Sequence, residues 1–164
     1  EVGRRYDAGA FFLPQLMASA GAVKAAFDVL RKHLPQGAGD KGTILLATVK
    51  NDVHDIGKNI VKMLLENYGY RVIDLGRDVP PEAVVQAALE TKAPLVGLSS
   101  LMTTTAQNIA TTIQALREAG APCKVMVGGA VVTQEFADRI GADFYTKDAA
   151  HSARVAAQVF GKDK

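Results

Sequence analysis

The sequence predicts an α/β fold, a doubly wound parallel sheet of five strands preceded by a helical segment. Three observations predict it. From Thr43 onward, short runs rich in Val, Ile and Leu alternate five times with longer stretches of helical periodicity. Alternating units of this kind pack as a parallel sheet with helices on both faces. The 164 residues are 48% apolar, enough for one full core with a smaller appendage, and no apolar run approaches the length of a membrane span.

Taken in order, residues 1–34 read as helical. Glu1 to Tyr6 is the tail of one helix, Asp7-Ala8-Gly9-Ala10 a turn, and Pro14 sits in the first turn of a longer helix, where its missing N–H costs nothing. Leu16, Ala20, Val23, Phe27 and Leu30 then form one apolar stripe. One and a half helices cannot bury such a stripe, so further helices, a ligand or a partner must cover it. With no initiator Met and an opening in mid-helix, the chain is expected to be a piece of a longer protein. Residues 35–42 (PQGAGDKG) are a linker by composition, and 43–164 form the α/β domain. Strands are expected at 43–49, 70–75, 95–99, 123–127 and 143–146, with helices at 56–68, 80–91, 104–119, 133–140 and 148–160. Five βα units suit the flavodoxin-like (Rossmann-like) order, whose switch point lies between the first and third strands.

Composition excludes several classes. The single Cys123 rules out a disulfide framework and suggests a reducing, cytoplasmic compartment. Net charge is +2 with both signs interspersed, so there is no nucleic-acid footprint, and no stretch of the given sequence reads as a membrane span or a signal peptide. No Gly-x-Gly-x-x-Gly and no Walker lysine loop argue against nucleotide phosphates. A zinc site needs more grouped Cys and His than the chain has, and His33 and His151 have no companions.

Three loops at the carboxyl edge carry the chemistry. In Asn51-Asp52-Val53-His54-Asp55-Ile56-Gly57, Asp52 lies two residues before His54, within reach of the imidazole's second N–H. Such a bond fixes the tautomer and makes the free nitrogen a better base or metal ligand. Gly57 removes a side chain where the loop enters a helix, letting something bulky approach. After strand three, Ser99-Ser100-Leu101-Met102-Thr103-Thr104-Thr105 holds five hydroxyls in seven residues. One or two of them serve as helix caps, and the rest can line a polar, uncharged pocket. Gly128-Gly129 after strand four is either a tight strand-to-helix turn or a place where a flat ligand lies against backbone.

Asp52-x-His54-x-x-Gly57, Ser99-x-Leu101 and Gly128-Gly129, at these spacings, resemble the three-part signature of cobalamin (B12)-binding domains. Thr48 to Val61 is similar to the loop of cobalamin-dependent methionine synthase and of the corrinoid proteins of anaerobic methyltransferase systems. Phe12-Leu13-Pro14-Gln15 is similar to the last helices of the cap preceding the domain in that family. The resemblance covers essentially the whole chain. It implies that 1–34 is the C-terminal part of a helical cap, and that His54 displaces the cofactor's benzimidazole to ligate cobalt, the base-off/His-on state. It also implies that Asp52 governs the protonation of His54, with Thr105 standing where methionine synthase has a relay serine. Ser99, Thr103, Gly128 and Gly129 would line the channel for the displaced nucleotide tail, and Leu101 completes the motif. The backbone of Asn51, Asp52, Val53, His54 and Asp55, and that near Ala149, would touch the cofactor. Tyr6 and Leu13 would cover the methyl face, Tyr6 replacing a frequent Phe. Cob(I)alamin would take a methyl group from a donor methyltransferase, and methylcobalamin would give it to an acceptor methyltransferase, with a reductive activation partner besides.

Two rivals share the signature. The B12 module of an adenosylcobalamin mutase generally lacks the Phe-Leu-Pro-Gln cap segment, which residues 1–34 supply. A B12-sensing regulator has a cap but needs a DNA-binding domain, for which neither charge nor motif provides here. A flavodoxin-like domain without cofactor leaves the three-part spacing without a reason.

Overall fold

The computed structural model describes residues 41–161 and eleven positions of the N-terminal stretch (5, 9, 10, 12, 15, 18, 19, 22, 25, 26 and 29). The chain divides into two compact units, Glu1–Pro35 and Gln36–Lys164. In the first, residue 5 is helical, Gly9 (φ 71°) and Ala10 turn, and every described position from 15 to 29 is helical. The Gln15 side chain accepts the Phe12 N–H (3.0 Å), satisfying a donor that the helix start leaves open. Tyr6, Leu13, Pro14, the stripe Leu16, Ala20, Val23, Phe27 and Leu30, and His33 lie outside the described residues.

The second unit contains β1 (Thr43–Thr48), α1 (Ile56–Asn67), β2 (Arg71–Asp74), α2 (Pro81–Thr91), β3 (Leu95–Ser99), α3 (Thr103–Glu118), β4 (Lys124–Gly128), α4 (Gln134–Arg139), β5 (Phe144–Tyr145) and α5 (Ala149–Phe160). No bound differs from that expected by more than one residue, and β3 matches at both ends. All strand pairs are parallel, in the order β2-β1-β3-β4-β5, which is the flavodoxin-like arrangement.

Strand periodicity sorts the core into two layers. Ile44, Leu46 and Met126 face Leu65 of α1 and Ala153, Val155 and Ala156 of α5. Leu45, Ala47, Val49 and Val125 face Val84 and Ala88 of α2 and Ile109, Ile113 and Leu116 of α3. Burial on both faces explains why the strands read as continuous apolar runs. Each buried Val, Ile, Leu or Met side chain among them contributes roughly 1.5–3 kcal/mol. Adjacent β1 and β3 send their following helices to opposite faces, so the loops that leave them part and open a crevice at the carboxyl edge.

Candidate functional site

The loop after β1 is pinned from two directions. Asn51 takes a left-handed conformation (φ 65°), which asparagine's short polar side chain tolerates. Its N–H donates to Asp78 Oδ1 (2.7 Å), and the Asp78 N–H donates back to the Asp52 carbonyl (2.9 Å). From the other side, Asn108 Nδ2 of α3 donates to the Lys50 carbonyl (2.7 Å). Asp52 is thereby held wholly buried. Its Oδ1 accepts the His54 backbone N–H (3.0 Å) and His54 Nδ1 (2.9 Å). Its Oδ2 accepts the Leu101 N–H (2.8 Å), Thr105 Oγ1 (2.7 Å) and Ser100 Oγ (3.1 Å). Burial alone would raise the Asp52 pKa; the bonds from the His54 N–H, Thr105, the Leu101 N–H and the imidazole outweigh it and hold the carboxyl well below the usual range. A buried carboxylate with five donors is a fixed anchor for the imidazole. His54 itself is 43% exposed and its Nε2 has no partner among the described residues.

The hydroxyl run after β3 departs from expectation. None of its side chains caps α3: the N-cap is Met102, with no side-chain bond. Ser100 and Thr105 turn instead toward Asp52, because a buried carboxylate is a stronger acceptor than helix N–H groups are donors in need. Ser100, 1% exposed, was not singled out by sequence reasoning; its only signal was membership of the run. Thr103 is exposed at the start of α3, whose core residues lie on the sheet face away from the cavity, and it does not line that cavity.

A cavity of about 270 Å³ opens beside His54, between α1 and α5, above Leu46, Gly97 and Met126. Gly57, Ser99, Leu101, Gly128, Gly129 and Ala149 line it; Asn51, Val53 and Asp55 do not. Val53 is exposed in the loop and Asp55 is the N-cap residue of α1, without a side-chain cap. Both readings of the glycine pair hold in part. Gly129 (φ 135°) is required by the turn, since a Cβ there would lie 1.9 Å from the Ser100 carbonyl oxygen, yet it also faces the cavity. Gly97, in the middle of β3, deepens the floor; a Cβ would stand 2.6 Å from Leu46 Cδ2 and 2.8 Å from Met126 Cε. Sequence reasoning also missed Lys58, whose buried ammonium pairs with Asp74 at the end of β2 while the residue lines the cavity wall.

The arrangement fits a corrinoid cofactor. One imidazole, oriented through Nδ1, leaves Nε2 able to ligate a metal that a ligand would bring, and among the described residues no cluster of three or more His, Cys, Asp or Glu could hold a metal unaided. The adjoining cavity, with glycines where side chains would intrude, can take a flat, largely apolar group. Tyr6 and Leu13 lie outside the described residues. Among the described residues no helix is long and apolar enough to cross a membrane.

Comparisons with known proteins agree with this geometry. A family model described as a B12 binding domain matches residues 42–157, and a second of the same description matches residues 1–31. The chain is 45% identical over 163 residues to a dimethylamine corrinoid protein of Methanosarcina barkeri, covering 97% of this chain and 76% of that one. Among solved structures, the monomethylamine corrinoid protein of Methanosarcina barkeri superposes with a TM-score of 0.81 at 35% identity, covering 96% of this chain and 76% of that one. The methanol:cobalamin methyltransferase complex MtaBC of the same organism superposes with a TM-score of 0.74 at 36% identity, over 99% of this chain and 63% of that one.

Proposed function

The chain belongs to the family of cobalamin-binding corrinoid proteins, and on that premise we propose that it binds cobalamin base-off/His-on and carries a methyl group between a donor and an acceptor methyltransferase. The Asp52–His54 pair at the β1–β3 crevice, with a cavity beside it, is the observation that carries the reading. When bound, the cofactor supplies a cobalt centre that accepts and gives up a methyl group. The chain's own residues supply position and polarity. His54 would hold the cobalt through Nε2. Asp52 keeps the proton on Nδ1, so the Nε2 lone pair stays available. Thr105, Ser100 and the Leu101 N–H keep Asp52 anionic and in place. The cavity would receive the displaced nucleotide tail, and exposed Val53, Ile56, Leu101 and Met102 would give the corrin ring an apolar seat around His54.

Partner methyltransferases are supported by what MtaBC is, a methyltransferase complex containing a similar chain. Several of the corrinoid relatives are named for dimethylamine, trimethylamine or monomethylamine, and the MtaBC complex for methanol, so a methylated small molecule activated by a separate methyltransferase is the donor class that fits. A reductive activation partner belongs to the same proposal, since cobalt that cycles through a strongly reducing state needs a route back after oxidation.

Electron paramagnetic resonance of the cob(II)alamin-loaded protein tests the axial ligand. Splitting by one axial nitrogen should change from a triplet to a doublet when the protein is labelled with ¹⁵N-histidine. His54→Ala should stay folded and lose that splitting. A splitting that ignores the label would mean that benzimidazole remains on cobalt and the His-on assignment is wrong.

A further inference from the structure

One peptide unit at the entrance to the His54 loop is gripped at both ends by side chains of other elements. Val49, Lys50, Asn51 and Asp52 form a β-turn, closed by the Asp52 N–H donating to the Val49 carbonyl (3.1 Å). Among the described non-glycine residues, Asn51, Asp78 and Lys92 alone have positive φ, so the turn has it at Asn51 (φ 65°) and not at Lys50. A positive φ at the third position only is the type II form. A half-rotation of the central Lys50–Asn51 peptide would give type I, the commonest form, in which neither residue is left-handed. The carbonyl of that peptide accepts Asn108 Nδ2 of α3 (2.7 Å), and its N–H donates to Asp78 Oδ1 of the β2–α2 loop (2.7 Å). Turned over, it would lose both bonds and set its oxygen against the Asp78 carboxylate.

Asp78 is itself left-handed (φ 54°), with its N–H on the Asp52 carbonyl (2.9 Å) while its carboxylate takes the Asn51 N–H. It therefore brackets the main chain of the residue whose Oδ1 holds His54 Nδ1. Asn and Asp are the side chains that best tolerate a left-handed backbone after glycine, so both ends of the bracket have residues suited to it. Neither Asp78 nor Asn108 lines the cavity, and each acts through the turn. We infer that Asp78 and Asn108 are positioning residues for the axial imidazole: together they select the type II turn and so hold the Asp52–His54 pair in the position from which His54 ligates cobalt. This inference rests on the reading that His54 is the axial ligand.

Two measurements on the full chain test it. In the cofactor-free protein, the nuclear Overhauser effect between Lys50 Hα and the Asn51 N–H is strong for a type II turn. In type I it is weak, and the Lys50 and Asn51 N–H protons approach each other instead. In the cob(II)alamin-loaded protein, the fraction of spins split by ¹⁵N-histidine counts the molecules with His54 on cobalt. Asp78→Ala/Asn108→Ala should shift the turn equilibrium about a hundredfold, roughly tenfold for each hydrogen bond lost, and the Overhauser pattern should become that of type I. The histidine-split fraction should fall at least about twofold as the competent population shrinks. Asp78→Asn, which keeps an acceptor for the Asn51 N–H, should behave as the parent. Adding Asn51→Gly to the double variant should restore both signals, because glycine takes the left-handed position without strain. Unshifted amide signals of β4 and β5 report that the variants are folded. A double variant that changes one signal without the other, or neither, overturns the inference and leaves the axial-ligand reading standing. A parent chain without histidine splitting overturns that reading and the inference with it.

Discussion

Gly57 is where folding and binding make opposite demands on one residue. It lies in the first turn of α1 with ordinary helical space around it: a Cβ would meet nothing within 4 Å. Alanine there should stabilise the cofactor-free protein by about 0.5–1 kcal/mol through reduced chain entropy. Yet the position lines the cavity beside His54, so Gly57→Ala should raise the urea midpoint without cofactor and lower the affinity for cobalamin. Unchanged affinity would mean that the missing side chain serves no ligand. Gly129 is the contrary case, since its φ of 135° and the Ser100 carbonyl leave no room for a side chain whatever binds. Legibility at this scale follows sequence distance. Asp52 and His54 are two residues apart, so their bond could be foreseen from chain geometry alone. Ser100 reaches Asp52 across 48 residues and Lys58 reaches Asp74 across 16, contacts that exist only once the sheet has formed.

Among the elements, α1 depends most on a contact that its sequence conceals. A lysine in a first turn opposes the helix dipole, and Lys58 reads as a solvated cation. Its ammonium is instead buried against Asp74, whose Oδ1 also accepts the Gly76 N–H (2.9 Å). The pair ties the start of α1, and the His54 loop before it, to the end of β2. Lys62 stands as a second, more exposed cation 3.4 Å from Asp74 Oδ2. Removing one partner of a buried pair leaves an uncompensated charge, so Lys58→Met should cost about 2–3 kcal/mol, the full penalty being eased by Lys62. Lys62→Ala should cost less than about 1 kcal/mol. Urea unfolding of both variants measures the difference, and equal losses would show that burial of Lys58 contributes nothing to the anchor. The elements themselves were legible because apolar runs of strand length and helical periodicity alternate without interruption. The hydroxyl cap expected of one or two residues at the start of α3 is absent, since no local pattern reveals that a buried carboxylate competes for those hydroxyls.

Across the whole α/β unit, the ion pairs at the two sheet edges predict how it fails in acid. At the β2 edge, burial would raise the Asp74 pKa, but the bond from Lys58, the Gly76 N–H and the charges of Lys58 and Lys62 lower it. At the β5 edge, Asp143 is lowered in the same way by Lys124 (2.8 Å), the Val125 N–H (2.7 Å) and Arg117 (2.5 Å). A carboxyl with a folded pKa below its unfolded value of about 3.9 takes up a proton more readily in the unfolded chain. Its stabilisation is therefore complete above that value and is lost as pH falls from about 4 toward the folded pKa. The strand bodies of β1 and β3 are joined through apolar side chains on both faces, and the third lowered carboxyl, Asp52, lies beyond their carboxyl ends, where it adds to the same acid loss. Stability should thus stay level from neutrality down to about pH 5 and fall steeply below 4, with amides of β2 and β5 losing exchange protection before those of β1 and β3. Urea midpoints across that range, for the parent and for an Asp74→Asn/Asp143→Asn double variant, give the measurement: the variant should be less stable at pH 7 and have the shallower acid slope. A double variant with the parental slope would place the acid-sensitive protons elsewhere in the fold.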